Sequence, residues 1–276
     1  MPKKKRGSKK TRKKREYHKK TFSEKHPIIA EKRHKARRRS IKEGIFATAQ
    51  MAFGSHYISP FAIAINMSNS LVAMLSSIGG ILGPITQLFG SRLIEKYPRK
   101  KIVLTAVLTE ALLWSPMFII AYLFSKGIIT SLLPLFFVLF FALRIMAANA
   151  GGPAWFSWIG DLVDDNYRGR WFAKRNLIHG FIGIVLALGA SFFLDKMKTI
   201  GFTMIGFMIL FFLAMTARLM SWFFMKSQYE PKLKLKKGYY FSFWNFLTNA
   251  RHNNLGRFAL FRGCLTFAQA IAAPLT

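Results

Sequence analysis

The 276-residue chain combines 52% hydrophobic residues with a formal net charge of +31 at pH 7. A membrane protein with a basic cytoplasmic side explains both values together, because its apolar residues lie in lipid and its cations lie in the loops. The single cysteine, Cys264, excludes an intrachain disulfide. The sequence contains no phosphate-binding glycine loop, no metal-ligand spacing and no paired catalytic carboxylates. We therefore expect neither an enzyme nor an ATP-driven pump, and no cofactor.

The chain begins with a basic tail, residues 1–43. We predict that this tail is cytoplasmic and disordered, because lysine- and arginine-rich runs such as residues 3–6 cannot bury a core. Within it, residues 28–43 have the composition of a basic helix that leads into the first apolar run. Two interpretations of the charge are open. The tail either anchors the topology beside anionic membrane lipid, or it binds nucleic acid or an acidic partner.

Six apolar runs follow the tail, and each is long enough to cross the ~30 Å hydrocarbon core as a helix. The runs are continuous and do not alternate with polar residues, which favours helices over barrel strands. The predicted spans are 44–66, 71–89, 102–124, 132–155, 177–194 and 200–225. We predict an all-α, polytopic transmembrane helical bundle in residues 44–225 and a basic cytoplasmic connector in residues 226–257. Residues 258–276 are predicted to start a seventh helix.

Basic residues fall almost entirely in every second gap between the predicted spans. The first gap contains no lysine or arginine, the third contains only Lys126, and the fifth contains only Lys196 and Lys198. The second gap, by contrast, contains Arg92, Lys96, Arg99, Lys100 and Lys101. Because lysine and arginine are retained on the cytoplasmic side, we predict a cytoplasmic N-terminus and cytoplasmic even-numbered gaps, in a protein of the cell membrane.

The second and fourth gaps contain two segments with a similar pattern, residues 90–100 and 160–170. In each, a glycine is followed by an acid at the fifth position, a tyrosine at the seventh and a base at the tenth. Chance can produce such a match over eleven positions. A repeated three-span unit would also produce it, and transporters are often built from repeats of this kind.

The segment after the second span resembles the signature loop of the major facilitator superfamily. Its matching residues are Gly90, Glu95, Lys96, Pro98, Arg99, Lys100 and Lys101. One extra residue separates the glycine from the acid, and Pro98 stands where the family has a turn glycine. The acid followed by Arg168-Gly169-Arg170 in the fourth gap is similar to the family as well.

The resemblance implies a gating role for these two loops. In the family's fold, a carboxylate at one helix end can pair with cations at a neighbouring helix end and so favour one conformation. The alternative is an ordinary basic loop that only sets the topology. The candidate gating residues are Gly90, Glu95, Arg99, Lys100, Asp161, Asp165, Arg168 and Arg170.

The fourth span also resembles the family, through an intramembrane arginine followed by small residues. Arg144 precedes the run Ile-Met-Ala-Ala-Asn-Ala-Gly-Gly-Pro, although Ala147 replaces the family's usual glutamine. In proton-coupled drug exporters of the family this motif is linked to proton transfer. Pro153 is expected to kink the helix. The fifth span has no Gly-Pro pair, which argues mildly against a drug exporter.

Glu110 and Arg144 are charged residues within predicted spans, where an unpaired charge costs at least ~2.5 kcal/mol. At 1.5 Å per residue, Glu110 lies ~12 Å from the cytoplasmic start of its span. Arg144 lies ~18 Å from the outer start of its span, hence also ~12 Å above the inner side of the ~30 Å core, so we predict that they pair. The pair either opens on protonation or solute binding, or it is a permanent structural ion pair. Arg218 is expected to extend to the cytoplasmic interface. The other candidates for solute or proton coupling are Gln50, His56 and Asn149.

These features predict a secondary active transporter that moves a small solute by alternating access, driven by a proton or solute gradient. The resemblance covers residues 44–276, which correspond to the first six-helix half and the start of helix seven. A complete pathway would then require the second half or another subunit. Two alternatives remain: a membrane-anchored protein whose tail binds nucleic acid or an acidic partner, and a non-transporting scaffold built on a transporter fold.

Overall fold

The computed structural model describes residues 27–231, 248, 252 and 254–272. The tail before residue 27 and most of the predicted connector lie outside these described residues. The predictions of tail disorder and of nucleic-acid binding therefore concern residues that are not described. The chain divides into two compact units, and the first of them ends at Pro231. This end lies beyond the predicted bundle boundary at residue 225, because residues 228–231 form hydrogen bonds with the bundle.

Every regular element in the described residues is helical, which confirms the all-α prediction. The α-helices of the first unit are α1 (Pro27–Phe53), α2 (Ile58–Ala64), α3 (Asn69–Leu93), α4 (Arg99–Leu112), α5 (Trp114–Ser125), α6 (Leu133–Ala150), α7 (Gly152–Leu162), α8 (Asp165–Thr199) and α9 (Thr203–Lys226). A 3₁₀ turn, Ser55–Tyr57, separates α1 from α2. In the second unit, α10 (Asn254–Ala272) begins about four residues before the predicted start of the seventh span.

Five segments of the described chain are long and apolar enough to cross a membrane. They are Asn69–Leu93, Arg99–Ser125, Leu133–Leu162, Asp165–Thr199 and Thr203–Lys226. They correspond to the second to sixth predicted spans, with starts that differ by up to three residues where the segment begins later, which supports a multi-pass membrane protein. The third predicted span is divided at Leu113 into α4 and α5, and the fourth is divided at Gly151 into α6 and α7. Pro153 lies in the first turn of α7, so the expected kink is a break between two helices.

The first predicted span is not one continuous helix. Its first part is the end of α1, and the chain then passes through the 3₁₀ turn into α2. The break occurs at Gly54, where a Cβ atom would lie 2.3 Å from the Trp114 ring, so only glycine allows this contact. Residues 28–43 form the first half of α1, as expected for a basic helix, and are not part of a disordered tail.

Helix α9 packs against α1, α4, α5 and α8, while α3 packs against α6. Fully buried aromatic rings fill the main core, where the Phe61 and Phe211 ring centroids are 5.0 Å apart. A second apolar cluster surrounds Trp158 near the loop between α3 and α4. The end of the bundle that contains this loop and the α7–α8 loop is called the basic end below.

Helix α8 exposes large apolar side chains along most of its length. Leu177, Phe181 and Phe192 are 75%, 70% and 74% exposed. Apolar exposure on this scale is unusual in a protein surrounded by water and is expected in lipid or against another protein. The packing of α8 therefore agrees with a bundle that spans a membrane.

Gly90→Ala is expected to lower the free energy of unfolding by about 1–3 kcal/mol. A Cβ atom at position 90 would lie 2.2 Å from the carbonyl oxygen of Ala150, so α3 approaches α6 closely only without a side chain there. Gly80, on the same helix, has no atom within 4 Å of the equivalent position, and Gly80→Ala is the matched control. Thermal unfolding in detergent compares the two variants. Equal midpoints would contradict the close approach.

Candidate functional site

The first unit contains a cavity of about 450 Å³, which is called the central cavity below. Its walls come from α1, α2, α3, α4, α6, α9 and the 3₁₀ turn. The charged and polar lining residues are Gln50, Ser55, Ser59, Ser76, Glu110, Arg144 and Arg218. A cavity of this size holds a small organic molecule, and the convergence of a few polar groups is typical of ligand sites.

Three charged side chains meet at the wall of the central cavity. The Glu110 carboxylate accepts a hydrogen bond from Arg218 Nε at 2.7 Å, and a second Arg218 nitrogen lies 2.5 Å from it. Arg144 Nη1 lies 3.6 Å from the other Glu110 oxygen. The Glu110 and Arg144 side chains are almost completely buried, and the Arg218 side chain is 13% exposed. We call Glu110, Arg144 and Arg218 the central ion cluster.

Aromatic rings lie beside this cluster. Phe141 precedes Arg144 by nearly one turn of α6, and Trp114 begins α5 four residues after Glu110. The Arg144 guanidinium lies 4.6 Å from the centre of the Trp114 ring and 5.6 Å from the centre of the Phe141 ring. A cation over a desolvated aromatic face gains about 2 kcal/mol. The rings therefore help to hold a charge within a segment that crosses the membrane.

Sequence reasoning missed Arg218. It was expected at the cytoplasmic interface, but its guanidinium instead binds Glu110 in the central ion cluster. A signal was available, because Arg218 lies eight residues before the end of α9, which is ~12 Å at 1.5 Å per residue. This is also the depth predicted for Glu110 and Arg144, so equal depth along the helix places Arg218 in the central ion cluster as well.

Of the polar candidates, only Gln50 lines the central cavity. Its amide is buried and donates to Ser55 Oγ at 3.2 Å. His56 is exposed outside the cavity, because the helix break at Gly54 brings Ser55 to the lining instead. Asn149 is also outside, since its side chain accepts a hydrogen bond from Gln87 at 2.9 Å and so joins α6 to α3. His56 and Asn149 therefore do not line the central cavity, and their part in coupling stays a prediction.

At the basic end, the buried side chain of Arg99 joins three parts of the chain. Its guanidinium lies 2.6 Å from Asp161 and donates to Ser157 Oγ at 2.9 Å, so it connects α4 with α7. It also donates to the Pro231 carbonyl at 2.8 Å. Glu230 contributes a second carboxylate at 3.8 Å from Arg99 Nε. Arg99, Ser157, Asp161, Glu230 and Pro231 are called the Arg99 cluster.

Neighbouring residues hold the segment that follows α9 against the Arg99 cluster. The Lys100 ammonium donates to the Gln228 carbonyl at 2.8 Å, and the Lys100 backbone N–H donates to Glu230 at 3.2 Å. Trp158 Nε1 donates to the Tyr229 carbonyl at 3.0 Å. The segment of residues 228–231 is therefore fixed to the ends of α4 and α7 at four consecutive residues.

The other gating candidates have separate positions. Asp165 pairs with Arg168 one turn along α8, at the surface. Glu95 and Arg170 are exposed, and neither makes an ion pair with any residue between 27 and 231. Gly90 acts through packing against α6, as described above. The two loops thus meet through the ion pair between Arg99 and Asp161. The acids and bases at the fifth and tenth positions of the two similar segments do not form ion pairs with one another in the described residues.

A second buried carboxylate, Glu43, was not anticipated, because the sequence places it in the basic tail. It lies 3.5 Å from Arg175 and accepts a hydrogen bond from Ser221 at 3.2 Å. Arg175 also stacks at 4.8 Å on the Trp155 ring. These contacts connect α1, α8 and α9 between the central ion cluster and the basic end.

No group of three histidine, cysteine or acidic side chains in the described residues is placed to hold a metal ion. The chain matches the family model of the Major Facilitator Superfamily over residues 44–276. No curated protein and no solved structure matches the chain. The family match covers most of the sequence and includes the bundle from residue 44, within α1, onward. The chain therefore belongs to the major facilitator superfamily, whose members are membrane transporters.

Proposed function

We propose that the protein is a secondary active transporter that moves a small solute by alternating access. The observation that supports this function best is the central cavity with its buried ion cluster, inside helices long enough to cross a membrane. A buried cluster of charges within the membrane is costly and is typical of solute or proton pathways. The cavity has the size and the mixed lining of a solute site.

We further propose that the basic end is cytoplasmic, together with the N-terminus, and that the protein acts in the plasma membrane. The concentration of lysine and arginine at this end favours that orientation. In this arrangement the Arg99 cluster closes the cytoplasmic end in one of the two access states. A cluster that forms in only one state shifts the equilibrium by its own free energy, and 1.4 kcal/mol is a factor of about ten.

Glu110 is the proposed coupling residue. It is shared by two guanidinium groups, so its protonation would weaken two ion pairs at once. Weakening of these two ion pairs changes the contacts in the cavity wall, and in this proposal a proton or solute gradient drives that change. The proposed driving force is accordingly a proton gradient or the gradient of a second solute.

Alternating access can be tested without knowing the solute, by labelling single cysteines in membrane vesicles. Cys264, the natural cysteine, is replaced by serine, and one of Ser76, Lys96 or Lys126 is replaced by cysteine. An impermeant maleimide is then added to right-side-out or to inverted vesicles. The cavity position Ser76→Cys is expected to react from both sides, because the cavity opens to each side in turn.

The two loop positions are the matched controls for sidedness. Lys96→Cys, in the α3–α4 loop, is expected to react only from the cytoplasmic side, and Lys126→Cys, after α5, only from the other side. Reaction of Ser76→Cys from a single side would favour a non-transporting scaffold. Reaction of both loop positions from the same side would overturn the membrane topology itself.

A further inference from the structure

The central cavity has a net positive charge. Two guanidinium groups and a single carboxylate line it among the described residues, so one positive charge is not balanced by the lining. Little of these side chains is accessible to water, since Glu110 and Arg144 are each 4% exposed and Arg218 is 13% exposed. A desolvated site with one excess charge selects a solute of the opposite charge and disfavours neutral or cationic ones.

Arg144 supplies this excess charge and has free hydrogen-bond donors. Glu110 is engaged by Arg218 through short contacts, whereas Arg144 lies 3.6 Å from the carboxylate, beyond hydrogen-bond distance. The Arg144 Nε atom is buried without a hydrogen-bond partner in the described residues. The ring contacts with Trp114 and Phe141 hold the guanidinium without using its N–H groups in hydrogen bonds. An N–H edge of a guanidinium binds a carboxylate through two parallel hydrogen bonds.

The remaining lining indicates the rest of the solute. The lining combines apolar side chains with small hydroxyl groups, among them Met51, Ile58, Phe141, Ile145, Ser59 and Ser76. An apolar body with few polar substituents fits this surface. A phosphate monoester carries a charge of about −1.5 to −2 at pH 7, which exceeds the excess charge of the cavity, whereas a monocarboxylate matches it.

We propose that the solute is a small organic monocarboxylate whose carboxylate binds the free N–H edge of Arg144. Its apolar part lies against Phe141 and Ile145, and Glu110 remains bound to Arg218. This inference rests on the proposed transport function and adds the chemical class of the solute. It assigns two roles within one cluster: Arg144 binds the solute, and the Glu110–Arg218 pair balances its own charge.

The test uses the full-length protein in lipid nanodiscs and four probes of similar shape: benzoate, benzamide, benzylamine and phenyl phosphate. Binding is measured by titration calorimetry at pH 7. Benzoate is expected to bind at least about tenfold more tightly than benzamide, since charged hydrogen bonds to a buried guanidinium are lost with the amide. Benzylamine is expected to bind no better than benzamide. Equal or tighter binding of benzamide or benzylamine would overturn the proposal, as would the absence of benzoate binding.

Variants then assign the charge preference to Arg144. Arg144→Gln is expected to remove the preference for benzoate over benzamide, and Arg144→Lys to restore part of it, because the charge returns without the planar fork. Arg92→Gln removes an exposed cation outside the cavity and is expected to leave the preference unchanged. Retained preference in Arg144→Gln would overturn the role of Arg144. The wild-type comparison tests the solute class even if this variant does not fold.

Two outcomes separate this inference from the proposed function. If phenyl phosphate binds at least tenfold more tightly than benzoate, the site takes phosphate esters and the monocarboxylate assignment is wrong. If neutral solutes bind while Ser76→Cys still reacts from both sides of the membrane, the transporter proposal stands and only the solute class fails. Failure of the two-sided labelling would remove the transport function, whatever binds in the cavity.

Discussion

Glu110→Gln is expected to lower the free energy of unfolding by about 3–5 kcal/mol. The substitution leaves two buried guanidinium groups, Arg144 and Arg218, without the carboxylate that both now contact. Loss of one partner from a buried ion cluster is costly because the remaining charges stay desolvated. The measurement is thermal and denaturant unfolding of the purified protein in detergent.

Two further variants control this prediction. Glu95→Gln removes an exposed carboxylate and is expected to change stability by less than about 0.5 kcal/mol. The double variant Glu110→Gln with Arg218→Gln removes one charge of each sign and should recover part of the loss, since one excess guanidinium is absent. If Glu110→Gln is as stable as Glu95→Gln, the cluster does not depend on the carboxylate.

The same variant tests the coupling role. In proteoliposomes with an imposed pH gradient, uptake by the wild-type protein is expected to depend on pH, and Glu110→Gln is expected to lose both uptake and this dependence. The physical reason is that a glutamine amide cannot gain or lose the proton that weakens the two ion pairs. Unchanged uptake with unchanged pH dependence would contradict coupling through Glu110 and leave the cluster as a structural element.

The membrane segments were the most predictable part of the fold, because the hydrocarbon core requires long apolar runs and this requirement is visible along the sequence. Five of the six predicted spans correspond to segments long and apolar enough to cross a membrane. The break at Gly54 was not predictable in the same way. It depends on the Trp114 ring of another helix, and a contact between distant residues leaves no trace in local hydropathy.

In the candidate site, sequence alone predicted the contact that depends on how deep each residue lies along its membrane helix. Equal depth placed Glu110 beside Arg144, and the structure brings them to 3.6 Å. The direction in which a side chain points around its helix was less predictable. Asn149 follows Arg144 by five residues, about 140° further around a helix of 3.6 residues per turn, and contacts Gln87 of α3 instead of the cavity.

In the α3–α4 and α7–α8 loops, sequence similarity predicted the location of the charged residues better than their contacts. The acid and base positions that resemble the family lie in two loops, and among the described residues the ion pair between Arg99 and Asp161 joins them. Gly90 and Gly160 occupy equivalent positions in the two similar segments. A Cβ atom at Gly90 would meet a backbone carbonyl, whereas a Cβ atom at Gly160 would meet nothing within 4 Å. Sequence similarity between the segments therefore does not extend to the same packing.

Arg99→Ala is expected to open the basic end and to lower the free energy of unfolding by about 2–4 kcal/mol. The Arg99 guanidinium is 1% exposed and forms charged hydrogen bonds with Ser157, Asp161 and the Pro231 carbonyl. Each charged hydrogen bond contributes about 1.5–3 kcal/mol, although the 44% exposure of the Asp161 side chain reduces its share. Without these bonds α4, α7 and residues 228–231 lose their common contact.

The proposed gating role gives this variant a second, kinetic effect. In vesicles, Ser76→Cys is expected to react about tenfold faster from the cytoplasmic side when Arg99 is alanine, because a cluster worth at least 1.4 kcal/mol no longer favours the closed state. Arg99→Lys is expected to be intermediate. It retains the positive charge but cannot reach three acceptors with a planar fork.

Arg92→Ala is the matched control, because it removes the same type of side chain from the exposed end of α3. It is expected to leave stability and labelling within error of the wild-type protein. A loss of stability in Arg99→Ala without any change in labelling would make the Arg99 cluster structural and not gating. Faster labelling in both variants would instead point to the overall positive charge of the loops, since any removed cation would then have the same effect.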